Sequence, residues 1–266
     1  FLRDARRAAE HLEALRETVA RQRAAAEELL AALRERAREA ARAKLDPSGD
    51  RAGLAATGTI SMLDITQAFG SLPTRNNRDV QFESASKVGA AAMAANRRTD
   101  GGTNLINGKA CFSCTIGCGR VVKVDPKHFS VDGKDRYKKA SGGLEYESVY
   151  ALGPMVGVDD IDAATYANYI CNEEGMDPIS FGATLAAAME LYEIGAINNT
   201  DTNGLELKFG SAKSLVKAAE LTGVGEGFGI DLGLGSKLLC KKYNRADLAM
   251  VSKGQEFPGY DGRSMQ

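Results

Sequence analysis

Three cysteines within eight residues restrict this 266-residue chain more than any other feature of its sequence. Cys111, Cys114 and Cys118 share a short segment in which Gly117 and Gly119 permit tight backbone turns. This spacing allows three thiolates to converge on one centre. The chain has five cysteines, an odd number, which disfavours a disulfide framework. The sequence therefore predicts that this loop, the cysteine loop, binds a metal.

The chemistry of the donors limits which metal this can be. Thiolates are soft ligands, so zinc and an iron–sulfur cluster are the candidates. His128 could complete a zinc site of three cysteines and one histidine. A four-iron cluster normally needs a fourth thiolate, but Cys171 and Cys240 fall in helical patterns, where an isolated cysteine is usually a small buried residue. Spacing alone leaves both metals open.

Composition argues against several classes of function. The formal net charge is -1 and 44% of the residues are apolar, which is ordinary for a globular protein. Nothing in this balance favours nucleic acid or an anionic membrane surface. No apolar run approaches the roughly 20 residues that a bilayer span needs, and the first residues are charged, unlike a signal peptide. We expect a cytoplasmic protein with no nucleic-acid or membrane partner.

Residues 1–50 form the first predicted domain, a helical segment. Residues 3–44 are rich in Ala, Arg, Glu and Leu and contain no Gly or Pro. Gln22 and Arg23 interrupt an otherwise regular apolar seam, so a single rod and a helical hairpin both fit. The segment is interpreted as a packing or self-association helix, which predicts a homo-oligomer or a larger complex. The seam residues are Ala5, Ala8, Leu12, Leu15, Val19, Ala26, Leu30, Leu33, Ala37 and Ala40.

Residues 51–266 form the second predicted domain. A cluster of turn formers at 46–50 marks the boundary between the two. Alternating strand patterns are scarce beyond it, and a glycine-rich run at 223–229 matches neither a dinucleotide fingerprint nor a phosphate loop. We predict an all-α fold, a multihelical domain preceded by a long helix or helical hairpin. Helical apolar spacing recurs at 161–172, 181–194, 211–221 and 232–243.

Several further motifs surround the cysteine loop in a defined order. This order resembles that of the tungsten-containing aldehyde:ferredoxin oxidoreductase family, and the similarity runs from about residue 57 to residue 266. Agreement among several motifs in order and spacing is more specific than any one of them. The motifs are Gly-Ser-Leu-Pro-Thr-Arg-Asn at 70–76, Gly-Leu-Glu-Tyr-Glu-Ser at 143–148, Ala-Leu-Gly at 151–153, Cys-Asn-Glu-Glu-Gly-Met-Asp-Pro-Ile-Ser at 171–180 and Pro-Gly-Tyr-Asp-Gly-Arg at 258–263.

The resemblance implies the middle domain of an enzyme that oxidises aldehydes to carboxylic acids. It implies a tungsten bis-pterin centre and a nearby 4Fe-4S cluster that passes electrons to ferredoxin. Glu147 matches a carboxylate beside the metal. The cluster motif assigns three of four ligands to Cys111, Cys114 and Cys118. The family's pterin-binding motif usually reads Asp-x-x-Gly-Leu, followed by either Asp or Cys. By this motif, the residues that contact the cofactor are Asn172, Gly175, Met176 and Asp177.

These implied roles have a chemical basis. A carboxylate near a buried oxidised centre can accept a proton, and burial would raise its pKa. Without its motif, Glu147 would be interpreted as an exposed glutamate. Asn172, which replaces the family's aspartate, and Asp177 can hydrogen-bond the polar edges of a pterin ring. The same segment also fits a helix that ends at Gly175, followed by a turn through Pro178.

Two classes of function follow from the sequence. The first is part of a tungsten-pterin oxidoreductase, whose other domains would supply the fourth cluster cysteine, a second pterin motif and a catalytic histidine. Its partners would be a small aldehyde and a ferredoxin or electron-transfer subunit. The alternative is a non-catalytic metal-binding scaffold module, holding iron–sulfur or zinc, that self-associates through its N-terminal helix.

Overall fold

The computed structural model describes residues 2–44, 50–112, 114, 116–139 and 141–264. Most of the predicted turn cluster, at 46–49, lies outside these residues. The chain divides into two compact units, Phe1–Ala52 with Phe112–Thr115, and Gly53–Cys111 with Ile116–Gln266. The predicted domain boundary after residue 50 stays a prediction.

The first unit contains one long helix, α1 (Leu2–Lys44), with no hairpin turn in its described residues. Its 43 residues span about 65 Å at the usual rise per residue. The large apolar side chains of the predicted seam, from Leu12 to Leu33, are about half exposed or more. None of the described helices is long and apolar enough to cross a membrane. Self-association through this stripe stays a prediction.

Nine shorter helices follow α1 in the described residues. They are α2 (Asp50–Thr57), α3 (Met62–Ala68), α4 (Ala90–Ala94), α5 (Tyr146–Leu152), α6 (Ile161–Glu174), α7 (Pro178–Glu193), α8 (Ala212–Val224), α9 (Gly229–Leu232) and α10 (Ser236–Lys242). The predicted predominance of helix is confirmed.

Helical spacing located most of these longer helices correctly. Three of the four predicted helices coincide with α6, α7 and α8 to within three residues at each end. The fourth, predicted over 232–243, is wrong in its extent, because α9 ends at Leu232 and α10 begins after Gly235. Gly235 has a φ of 81°, which glycine adopts readily, so it redirects the chain between the two helices.

Two small antiparallel sheets accompany the helices in the described ranges. The first pairs β1 (Leu105–Lys109), β2 (Gly119–Val122) and β3 (Ser141–Gly142) in that order. The second pairs β4 (Val251–Ser252) with β5 (Gln255–Glu256). Lys109 pairs with Gly119, so β1 leads into the cysteine loop and β2 leads out of it.

The core lies among α5, α6, α7 and α8. Small side chains on α7 allow close packing, and residues 181–189 of this helix are all buried. Gly182 makes the closest approach, since a Cβ atom there would lie 2.4 Å from the carbonyl oxygen of Ala151 on α5. The two helices therefore meet backbone to backbone at this point, which fixes the position of α5.

Gly182→Ala tests this helix contact. The added methyl group has no space against the backbone of Ala151, so we expect the free energy of unfolding to fall by about 1–3 kcal/mol. Gly53→Ala on α2 is the matched control, because a Cβ atom at Gly53 would meet nothing within 4 Å. Alanine also favours a helix over glycine, so this variant should be as stable as the original chain or more so. Urea unfolding followed by circular dichroism measures the stability of both variants. A Gly182→Ala variant as stable as the original chain would contradict the close approach of α5 and α7.

Candidate active site

Glu147 lies in the first turn of α5 and is partly buried. Burial raises the pKa of its carboxyl group above the ordinary value, and the nearby Asp177 carboxylate adds to the increase. The backbone N–H of Gly259 donates a hydrogen bond to Oε2 of Glu147 at 2.8 Å, which acts in the opposite direction. The interpretation of Glu147 as an ordinary exposed glutamate is therefore wrong.

The segment Phe257–Tyr260, here called the C-terminal strap, covers α5. Tyr150 donates its hydroxyl hydrogen bond to the carbonyl oxygen of Phe257 at 2.8 Å, and Tyr146 donates to the carbonyl oxygen of Gly259. A Cβ atom at Gly259 would lie within 2.9 Å of both tyrosine rings, so no side chain fits there. Burial raises the pKa of both tyrosines far above the ordinary value of 10, which keeps their hydroxyl groups protonated as donors.

The predicted pterin motif forms the turn between α6 and α7. Gly175 ends α6 in the left-handed conformation, with a φ of 71°. Asp177 caps α7 by accepting hydrogen bonds from the backbone N–H groups of Ile179 and Ser180, and Pro178 is the first residue of that helix. The turn expected from the sequence is therefore present. Met176 is partly buried, whereas Asn172, Gly175 and Asp177 are exposed.

Two cavities share Asp177 and Ser180. The smaller, of about 190 Å³, also includes Met176. The larger, of about 480 Å³, extends to Pro258 of the C-terminal strap. The structure thus brings Met176 and Asp177 to cavities beside the strap that binds Glu147, but Asn172 lines neither cavity. The cavities could accept the polar edge of a flat cofactor beside Asp177.

Glu256 lines the larger cavity, and sequence reasoning missed it. One carboxylate oxygen accepts hydrogen bonds from the backbone N–H and the hydroxyl group of Ser236 at 2.9 and 2.8 Å. The other accepts from the hydroxyl group of Ser180 at 3.0 Å. Glu256 therefore connects the start of α10 with the first turn of α7. No local pattern in the sequence links these three residues.

The three cysteines of the cysteine loop differ in exposure. Cys111 and Cys114 are exposed and Cys118 is partly buried, and none of the three is in a disulfide. Ser113 and Thr115 of the loop lie outside the described residues. Within the described residues, no group of three or more His, Cys, Asp or Glu side chains is arranged to bind a metal ion. The donor set nevertheless matches an iron–sulfur cluster in its chemistry, and its role as ligand stays a prediction.

The remaining candidate ligands are unsuited to the task. Cys171 on α6 and Cys240 on α10 are fully buried, and burial raises the pKa of their thiols to about 12 and about 11. Thiols this weakly acidic do not readily supply a thiolate. Nδ1 of His128 lies 2.7 Å from the hydroxyl oxygen of Ser130, and Nε2 lies 3.1 Å from a carboxylate oxygen of Asp160. With both ring nitrogens engaged, the structure does not support His128 as a zinc ligand.

Comparison with known proteins agrees with these motifs. A family model described as "Aldehyde ferredoxin oxidoreductase, domains 2 & 3" matches residues 36–266. The chain belongs to the aldehyde ferredoxin oxidoreductase family. The tungsten-containing aldehyde ferredoxin oxidoreductases of Pyrococcus abyssi and Pyrococcus horikoshii are each 37% identical to it over 220 residues. These matches cover 80% of this chain and 33% of each relative, so the chain spans about a third of their length.

The family match begins earlier than the motifs indicated. It starts at residue 36, within α1, whereas the motifs placed the resemblance from about residue 57. Among solved structures, the chain resembles the active site complex BamBC of benzoyl coenzyme A reductase in complex with 1,5-dienoyl-CoA, with a TM-score of 0.56. That match is 15% identical and covers 76% of this chain and 28% of the other. It shows that the aldehyde ferredoxin oxidoreductase fold of this chain is shared by that reductase.

Glu147→Gln should remove part of the pH dependence of stability. Because burial raises the pKa of Glu147 in the folded chain, the folded state binds this proton more tightly than the unfolded state. The resulting contribution to the free energy of unfolding is complete below the ordinary pKa of 4.5 and is lost as the pH rises through the raised pKa. Glutamine keeps an oxygen for Gly259 but does not titrate.

Urea unfolding at a series of pH values from acid to neutral measures this effect. We expect the stability of Glu147→Gln to increase relative to the original chain as the pH rises. Parallel pH profiles for the two proteins would show that this carboxyl group is not held in a buried environment.

Proposed function

We propose that this chain forms part of an enzyme that oxidises an aldehyde to a carboxylic acid at a tungsten-pterin centre. The observation that carries the proposal is the position of Glu147, a partly buried carboxyl group of raised pKa held by the strap beside the cavities of Asp177. The names of the relatives in Pyrococcus support tungsten, aldehyde and ferredoxin as the components.

Asp177 and Met176 are the residues proposed to hold the pterin from this side of the site. Asp177 is exposed at its cavity while its carboxylate caps α7, so backbone N–H groups of that helix stabilise its negative charge. Asn172 and Gly175 belong to the same motif and form the end of α6. The tungsten-pterin group, when bound, would supply the oxidation–reduction chemistry.

Glu147 is proposed to take up a proton during the reaction. Oxidation of an aldehyde with water to a carboxylic acid releases protons together with electrons, so a base is needed at the site. Burial raises the pKa of Glu147 toward the pH range in which its carboxyl group can both accept and release that proton. The hydrogen bond from Gly259 orients Oε2, leaving Oε1 as the proposed site of proton uptake.

The cysteine loop is proposed to carry the electrons away. Cys111, Cys114 and Cys118 would hold a 4Fe-4S cluster, with the fourth ligand supplied by another part of the enzyme. The partner that receives the electrons would be a ferredoxin or an electron-transfer subunit. The exposed apolar stripe of α1 supports assembly into a homo-oligomer or a larger complex.

Glu147→Gln tests the catalytic proposal in the assembled enzyme. We expect aldehyde-dependent reduction of a viologen dye to slow by about 10²–10⁴-fold, because the general base is lost. Tungsten and iron contents should stay unchanged. Glu226→Gln, at an exposed loop position, is the matched control and should keep full activity. Full activity of Glu147→Gln would exclude Glu147 as the base.

Cys114→Ser tests the cluster. Prepared without oxygen, the original chain should be brown and contain iron and acid-labile sulfide. The variant should lose both, because a hard hydroxyl oxygen is a poor ligand for this cluster. Cys240→Ala removes a buried thiol of α10 instead and should keep the iron. A colourless protein with bound zinc, or with no metal, would instead favour the non-catalytic scaffold.

A further inference from the structure

Arg120 is a buried cation at the exit of the cysteine loop. It lies on β2, two residues after Cys118, and is 3% exposed. Burying a guanidinium group is unfavourable unless its charge and its N–H groups are satisfied. A buried arginine in this position therefore requires a physical explanation.

Four backbone carbonyl groups accept hydrogen bonds from Arg120. Nη1 donates to the carbonyl oxygens of Gly117 and Gly119 at 2.9 and 2.7 Å, on the two sides of Cys118. Nη2 donates to the carbonyl oxygens of Leu54 and Ala55 in α2, both at 2.9 Å. One planar side chain thus ties the Cys118 end of the loop to the last turns of a helix.

The backbone packing around this side chain is tight. Gly58 follows α2 with a φ of 74°, and a Cβ atom there would lie 2.7 Å from the carbonyl oxygen of Cys118 and 3.2 Å from Nε of Arg120. Gly143 closes the other side, because its Cβ atom would lie 2.7 Å from Cβ of Arg120. The glycines leave room for the guanidinium group and the loop backbone, and for nothing larger.

Among the residues that the structure describes, no carboxylate balances the charge of Arg120. Its hydrogen bonds all go to neutral carbonyl groups, and it takes part in no ion pair within the described part of the chain. Its Nε–H group is buried and has no hydrogen-bond partner among those residues. Arg98, also buried, differs from Arg120, because Asp100 forms an ion pair with it. An uncompensated buried cation and an unused donor both favour an anion nearby.

We propose that Arg120 is a positioning residue for the iron–sulfur cluster, which fixes the backbone around Cys118 and supplies the cluster with a buried positive charge. The inference rests on the proposed function of the cysteine loop. A cluster bound by thiolates is anionic, and reduction makes it more so. A fixed positive charge therefore stabilises the reduced form and raises the reduction potential.

Arginine is suited to this position because its planar fork can donate to two backbone segments at once. Lysine has the same charge, but its compact ammonium group cannot reproduce the bidentate contacts to the loop and to α2. Glutamine keeps a polar end but has no charge. The two substitutions therefore separate the anchoring role of Arg120 from its electrostatic role.

The test compares Arg120→Lys, Arg120→Gln and the control Arg98→Gln, all prepared without oxygen. Two quantities are measured, the midpoint potential by a redox titration followed with electron paramagnetic resonance, and the rate of iron release to a chelator. Arg120→Gln should lower the potential and release iron about 10–100-fold faster. Arg120→Lys should keep the potential near that of the original chain and still release iron faster. Arg98→Gln should change neither quantity.

The outcomes distinguish this proposal from the proposed function. If neither the original chain nor the assembled enzyme binds iron, the cluster assignment fails and the role of Arg120 fails with it. If the original chain binds the cluster and Arg120→Gln matches it in potential and iron release, the role of Arg120 alone is overturned. If Arg120→Gln does not fold, the rate of iron release from Arg120→Lys tests the proposal. A rate equal to that of the original chain would exclude a role for Arg120 in fixing the backbone around Cys118.

Discussion

The burial of α5 is the constraint on which the candidate site depends. Gly182 of α7 brings one helix backbone against α5, and the C-terminal strap covers another side through Tyr146 and Tyr150. Glu147 lies in the first turn of this helix, and its side chain is partly buried beside the strap. A carboxyl group packed in this way has a raised pKa because burial disfavours its charged form.

The sequence was sufficient to predict the helices that build this core. Apolar spacing located α6, α7 and α8, because each is amphipathic or apolar over three or more turns. The strands were missed, since β1 is mostly exposed and β3, β4 and β5 have two residues each, too few for an alternating pattern. The break between α9 and α10 was missed because the helical apolar spacing continues through Gly235.

The candidate site was predictable only in part. The order of motifs indicated Glu147 and Asp177 as site residues, and their roles stay predictions. The burial expected of Cys171 and Cys240 is present. The partners of these residues were not predictable, because Gly259 and Glu147 are 112 positions apart, and pattern reasoning relates residues only to near neighbours. Tertiary packing, rather than local sequence, therefore gives Glu147 its partly buried position and its raised pKa.

The cysteine loop is carried by the β1–β2 hairpin and not by the helices of the core. Strand β1 is largely exposed, so a hairpin of this kind can lengthen, shorten or change sequence at its tip without repacking α5 and α7. The residues proposed to handle electrons and those proposed to handle protons thus lie on different secondary-structure elements. In evolution, the tip of the hairpin could adapt to a new electron acceptor while the core helices retain their chemistry.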